Sequence, residues 1–227
     1  MTTLYLDIES IPAQSEAVRQ QIADSVKPPA SMKKADTIAA WEAEQKPAAV
    51  EEAIAKTALN GALGHICCIG WAVDNLSTGS FSMTEFSPEN EADIITNFFC
   101  SVDQYIDQYR ATKIVGHYVV GFDIRFIWQR CIVLGIRAPS WLPRDPKPWD
   151  ANVFDTMTAW AGARDTISLD NLCRALGIEG KGDIDGSMVG KMFAEGRHDE
   201  IAAYCRQDVE RVRAVHRKMR LAFGEAA

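Results

Sequence analysis

Apolar and polar positions alternate through Leu4-Tyr5-Leu6-Asp7-Ile8-Glu9, which is the two-residue period of a β-strand. Ile11-Pro12 ends it. Residues 13–60 change character. They are rich in Ala, Glu, Gln and Lys, have helical spacing near 15–25, 36–46 and 48–59, and are broken by Pro28-Pro29 and Pro47. This predicts a helical insertion between the first two strands. His65–Val73 is a mostly apolar run bounded by Gly64 and Asp74-Asn75, hence a buried strand, and Ser80–Phe86 alternates as its hairpin partner. Ser87-Pro88-Glu89-Asn90-Glu91 has the residues of a helix start, with a Ser cap, Pro at the first position and acids in the first turn. That helix is expected to reach about Tyr109, with Ile94, Ile95, Phe98, Phe99, Val102, Tyr105 and Ile106 on its apolar face.

A short strand at Lys113–His117, a turn at 116–121 and an apolar helix at Phe122–Leu134 follow. Residues 136–150 form a proline-rich loop, and Val153–Trp160 fits neither period. Further helices are expected from Ser168 to Gly177, at 187–195, and from Asp199 to about Phe223. The last carries the stripe Ile201, Cys205, Val209, Val212, Val215 and Met219.

Hydrophobic residues make up 47% and charged residues 24% of 227, an ordinary globular composition consistent with one domain over 1–227 that includes the insertion. The net charge of −7 argues against a protein that coats nucleic acid, yet allows a local basic groove beside an acidic centre. Six cysteines form no C-x-x-C pair, and most lie in apolar runs as buried thiols do. That points to a reducing cytoplasm and away from a zinc site. There is no basic-then-apolar leader and no apolar run of about 18–20 residues, so neither a signal peptide nor a membrane partner is expected.

Three places carry candidate chemistry. Asp7 and Glu9 project from one face of the first strand, roughly 6–7 Å apart. They repel each other unless a cation lies between them, and a hard divalent ion suits their oxygens. The alternative is an acidic strand end facing water. Tyr204 and Asp208, four apart on the last helix, fall on or beside its apolar stripe, where a carboxylate is costly unless paired or metal-bound. The alternative there is a local hydrogen bond. Asp123 follows Gly121-Phe122 at a strand-to-helix junction, where it either caps the helix or aims into a cleft.

Taken together, Asp7-x-Glu9, then Gly116-His117-Tyr118-Val119-Val120-Gly121-Phe122-Asp123, then Tyr204-x-x-x-Asp208, resemble the three motifs of the DEDD 3′–5′ exonucleases. The tyrosine spacing places the resemblance in the tyrosine branch (DEDDy), near the proofreading domains of family-B DNA polymerases and their stand-alone relatives. The resemblance implies an RNase H-like α/β fold, a mixed sheet flanked by helices, with the insertion as an addition after the first strand. It implies two Mg²⁺ or Mn²⁺ ions held by Asp7, Glu9, Asp123 and Asp208, with Tyr204 orienting the attacking water. The implied substrate is the 3′ end of DNA, single-stranded DNA in particular, cut to nucleoside 5′-monophosphates in replication or repair beside a polymerase partner. Trimming of RNA and a non-catalytic accessory module are the alternatives.

The family usually has Asn five residues before the second-motif Asp; Tyr118 stands there, so substrate contacts are expected to differ. Ile8, Tyr118, Phe122 and Arg125 are the candidate substrate contacts; Tyr118, Phe122 and Trp149 are candidates to stack on terminal bases, with core packing as the competing role for Phe122 and Trp149. Basic residues outnumber acids in 122–150 (Arg125, Arg130, Arg137, Arg144, Lys147) and in 204–220 (Arg206, Arg211, Arg213, Arg217, Lys218, Arg220). These are candidates to line a strand path, several of them alternatively facing solvent.

Overall fold

A computed structural model describes residues 2–106, 112–162, 164–180, 182 and 184–224. Strands β1 (Thr2–Ile11), β2 (His65–Val73), β3 (Gly79–Ser82), β4 (Thr112–Gly116) and β5 (Val153–Asp155) form one sheet in the order β3-β2-β1-β4-β5. β1 is central. It pairs antiparallel with β2 and parallel with β4, which pairs parallel with β5. Alternation along β1 sorts its side chains to two cores. Leu4, Leu6 and Ile8 join Ile66, Phe98 and Ile127 on one face, while Tyr5 joins Val115, Leu172 and Val212 on the other. Antiparallel entry strands followed by parallel crossovers, with helices on both faces, make this an RNase H-like sheet.

Helices α1 (Glu16–Ser25), α2 (Ala35–Glu44) and α3 (Lys46–Lys56) form the insertion. α1 buries no side chain, α2 buries Trp41 and α3 buries Ile54. A 3₁₀ turn at Thr57–Leu59 ties the insertion to the end of β1. Ser10 Oγ donates to the Ala58 carbonyl at 2.7 Å, and Ala13 N–H donates to Thr57 Oγ1 at 2.8 Å.

Ser87 caps α4 (Pro88–Asp103), its hydroxyl accepting from Asn90 N–H at 3.0 Å. α4 is shorter than the periodicity predicts: it stops at Asp103, leaving Tyr105 exposed, and 107–111 lie outside the described residues. β3 also stops short, at Ser82 rather than Phe86, where Met83 turns into the core. The ambiguous stretch 153–160 divides into β5 and α6 (Thr156–Ala161). α5 (Asp123–Leu134), α7 (Leu169–Ala175), α8 (Val189–Ala194) and α9 (His198–Ala222) fall where the pattern puts them. Five cysteines are buried free thiols and Cys100 is exposed. Among the described residues no helix is long and apolar enough to cross a membrane.

Candidate active site

The carboxyl end of β1 outruns its neighbour. Its pairing with β4 ends at Tyr5–Val115, so the Ile8 N–H lies beyond that ladder. Asp123, the first residue of α5, fills the gap: its Oδ1 accepts from Ile8 N–H at 3.0 Å. The helix cap is Phe122 rather than Asp123. A register shift between Glu9 and Ser10 bends β1 at the same place, as bulges beside functional sites do.

Asp7 and Glu9 share the face of β1 that meets α9. Gly70 pairs with Asp7 across the sheet, and a Cβ there would sit 2.8 Å from Cys205 Sγ. The bare backbone at Gly70 therefore lets α9 settle onto the sheet. This close approach brings Tyr204, bonded to Asp208, within reach of the charges of Glu9 and Asp7. Candidate ligand atoms of Asp7, Glu9 and Cys205 lie within 4.8 Å of one another. The Cys205 thiol approaches Asp7 Oδ2 at 3.5 Å and stays protonated, because burial pushes it well above the ordinary range. Sequence reasoning placed Cys205 on the apolar stripe only; its nearness to Asp7 needs the Gly70 contact, which has no local signature.

Glu9, Asp123, Tyr204 and Asp208 are all buried, at 3–6% exposure, and Asp7 is half-buried. Burial pushes Asp123 up to about 7, the charges of Asp155 and Asp208 adding to the rise, against hydrogen bonds from its own N–H and that of Ile8. Burial likewise raises Tyr204, and the negative charges of Asp208, Glu9 and Asp7 raise it further. Its hydroxyl donates to Asp208 and stays protonated. Arg211 reaches this cluster, its Nη1 donating to Asp208 Oδ1 at 2.7 Å while Nη2 holds the Gly180 carbonyl at 2.9 Å. Oxygen-rich and buried, the acids would suit a hard divalent cation.

The turn at 117–121 is held by a residue that sequence reasoning missed. Asp155 accepts from the N–H groups of Tyr118 (3.0 Å) and Val120 (3.1 Å), and from Met157 (3.0 Å) at the start of α6. Its only local signal is an Asp at a helix cap. Tyr118 sits in the left-handed region at φ 60°, where Asn is better tolerated than Tyr, and its side chain is half exposed. Its ring lies over Gly121, where a Cβ would come within 2.3 Å of it.

The other candidate contacts divide. Ile8 is 4% exposed and belongs to the core, with an edge on the neighbouring cavity. Phe122 packs on Phe126 with ring centroids 5.4 Å apart and lines the same cavity. Arg125 is exposed on α5. Trp149 is 77% exposed, so core packing is not its role. Arg130 and Arg213, grouped above with strand-path cations, are buried structural groups: Arg130 pairs with Glu91, and Arg213 donates to the Leu76 carbonyl.

Fold and site together define a nuclease-like α/β domain with a carboxylate centre at the end of its central strand. Residues 58–226 match the model of a family described as a predicted 3′–5′ exonuclease related to the exonuclease domain of PolB, and the chain belongs to that family. Asp123, Tyr204 and Asp208 lie inside the match; Asp7, Glu9 and the insertion precede it. The fold is also similar to that in the structure of the family B DNA polymerase from the hyperthermophilic archaeon Pyrobaculum calidifontis. The TM-score is 0.59 at 13% identity, over 98% of this chain and 25% of that one. The chain therefore spans about a quarter of that polymerase's length. Among curated proteins, none matches the chain.

Proposed function

We propose that the protein is a metal-dependent 3′–5′ exonuclease that hydrolyses single-stranded DNA from its 3′ end to nucleoside 5′-monophosphates. The observation that carries this reading is the placing of acids from β1, α5 and α9 near one another: Asp7 and Glu9 share a possible ion site with Cys205, and Asp208 lies near enough to raise the buried Asp123. Asp7, Glu9, Asp123 and Asp208 would hold two ions, Mg²⁺ or Mn²⁺. Such ions, when bound, generate hydroxide from water at neutral pH and stabilise a leaving 3′ oxygen.

The chain's own groups do the rest. Tyr204 keeps its proton, so its hydroxyl orients a water or a phosphate oxygen and does not serve as a base. Asp123 must release its proton before it can bind a metal, so protons compete with the ion and activity at limiting metal falls as the pH drops. Asp155 fixes the turn that presents Tyr118 and Phe122 beside the acids. A polymerase or other replication or repair protein as partner, a cytoplasmic location and a single functional unit over the whole chain belong to the same reading.

The test is a degradation ladder. 5′-labelled single-stranded DNA and matched RNA are incubated with Mg²⁺, Mn²⁺ or EDTA, beside Asp123→Ala. The expected result is a metal-dependent ladder shortening from the 3′ end, with DNA ahead of RNA. Asp123→Ala should lose more than the roughly 10–100-fold that removing a metal's outer-shell partner costs. Equal turnover by Asp123→Ala, or no cleavage with either metal, would overturn the assignment.

A further inference from the structure

The three helices of the insertion lie outside the family match, and two of them, α1 and α3, line a cavity that reaches Glu9. This cavity of about 940 Å³ opens beside Glu9, within the roughly 300–1,000 Å³ of ligand clefts. Ile54, Ala55 and Leu59 line it from the insertion side, and Phe193 and Ala194 of α8 face them. Phe86 and Phe122 complete an apolar lining that continues into the candidate site through Ile8 and Glu9. Leu59 is 72% exposed, much for a large apolar side chain, and the aromatic rings are only half-buried.

The charges are mixed. Glu51, Glu52 and Glu85 reach the cavity, and so do Arg19, Lys56 and Lys191. Lys56 is tied to Glu52 at 2.6 Å, and Lys191 lies 3.8 Å from Glu195. Arg19, half-buried on α1, makes no ion pair among the described residues. Apolar and aromatic walls with an available guanidinium, continuous with a metal-suited acid cluster, match unstacked bases on a phosphate backbone.

We infer that the cleft between the insertion and α8 is the seat of the unpaired 3′-terminal nucleotides. Bases lie against Phe86, Phe122 and Phe193, and Arg19 contacts one backbone phosphate. This rests on the exonuclease reading and deepens it: the insertion makes the enzyme one for single strands. A duplex end, whose bases stay stacked and paired, gains nothing from these walls.

The test reads binding and turnover separately. An oligodeoxynucleotide with 2-aminopurine at its 3′ end is titrated in Ca²⁺, single-stranded or annealed, and its hydrolysis is followed in Mn²⁺. Ala55→Trp fills the cleft from an exposed position and should weaken single-strand binding about tenfold. Arg19→Gln should weaken it severalfold and lower the slope of log affinity against log salt by about 0.7. Arg164→Gln, an exposed arginine that does not line the cleft, should change neither.

Single-strand binding unchanged by both Ala55→Trp and Arg19→Gln, absent in the parent, or no tighter than duplex binding overturns the cleft assignment. Retained, cleft-dependent binding without hydrolysis overturns only the exonuclease reading.

Discussion

Glu91 and Asp123 are buried almost equally, at 0% and 3% exposure, in opposite surroundings. Burial alone would raise the Glu91 carboxyl, but His65, the Arg130 guanidinium and the Ile66 N–H all bond to it and hold it below the usual carboxylate range. Arg130 grips it with two bonds, Nε to Oε1 at 2.7 Å and Nη2 to Oε2 at 2.8 Å. Asp123 has two backbone N–H groups and otherwise acidic neighbours, and burial pushes it up to about 7. The first acid is complete and joins α4, β2 and α5. The second has no cation bonded to it among the described residues, and the proposed metal is what would complete it. Degree of burial does not distinguish a structural acid from a functional one; the identity of the compensating charge does.

Breaking the complete pair should give the largest loss of stability. Arg130→Met leaves Glu91 buried against an apolar side chain and should cost about 3–5 kcal/mol, read by urea unfolding at pH 7. Added Mg²⁺ or Mn²⁺ should not restore it, because nothing at Glu91 needs a metal. A loss below about 1 kcal/mol would show that the pair is not what holds α4 to α5.

The open cluster should respond to pH instead. Asp123 titrates at 3.8 in the unfolded chain and about 7 when folded. Between those values the folded state keeps a proton that the unfolded state has released. The group's contribution is therefore intact below about pH 4 and is lost as pH rises through about 7. Asp123→Asn, measured in chelator, should match the parent near pH 4. Near pH 8 it should exceed the parent by on the order of 2 kcal/mol. Parallel stability curves from pH 4 to pH 8 would remove Asp123 as the uncompensated charge.

The contrast also explains what could be read from the sequence. β1 and α9 were legible because their patterns are local: two-residue alternation in one, a stripe of period 3.6 in the other. Asp7, Glu9, Tyr204 and Asp208 are in-phase residues on those two elements. Glu91 was not legible. As an acid in the first turn of α4 it satisfies the helix dipole wherever its side chain points, and its partner Arg130 is 39 residues away. Asp155 was hidden in a segment too short to have a period, with two of its donors, Tyr118 and Val120, 37 and 35 residues upstream. The insertion's helices were visible, but their place beside Glu9 depends on tertiary contacts at Ser10 and Ala13.

Arg211 gives the finest test of the comparison, because it is a guanidinium that does reach the open cluster. It bonds one oxygen of Asp208 where Arg130 bonds both of Glu91, and its other arm is spent on the Gly180 carbonyl. It therefore offsets part of the charge on one acid of the cluster, and in the proposed reading a metal would offset more. Arg211→Gln should cost about 1.5 kcal/mol in chelator, the lower end for losing one hydrogen bond to a buried charged group. The same variant should show a larger rise in melting temperature on adding Mn²⁺, because the ion then offsets charge that Arg211 no longer does. A smaller rise would give Arg211 the opposite role: its bond would hold Asp208 in the orientation a metal needs, and the two buried acids would then share a reliance on a fixed arginine.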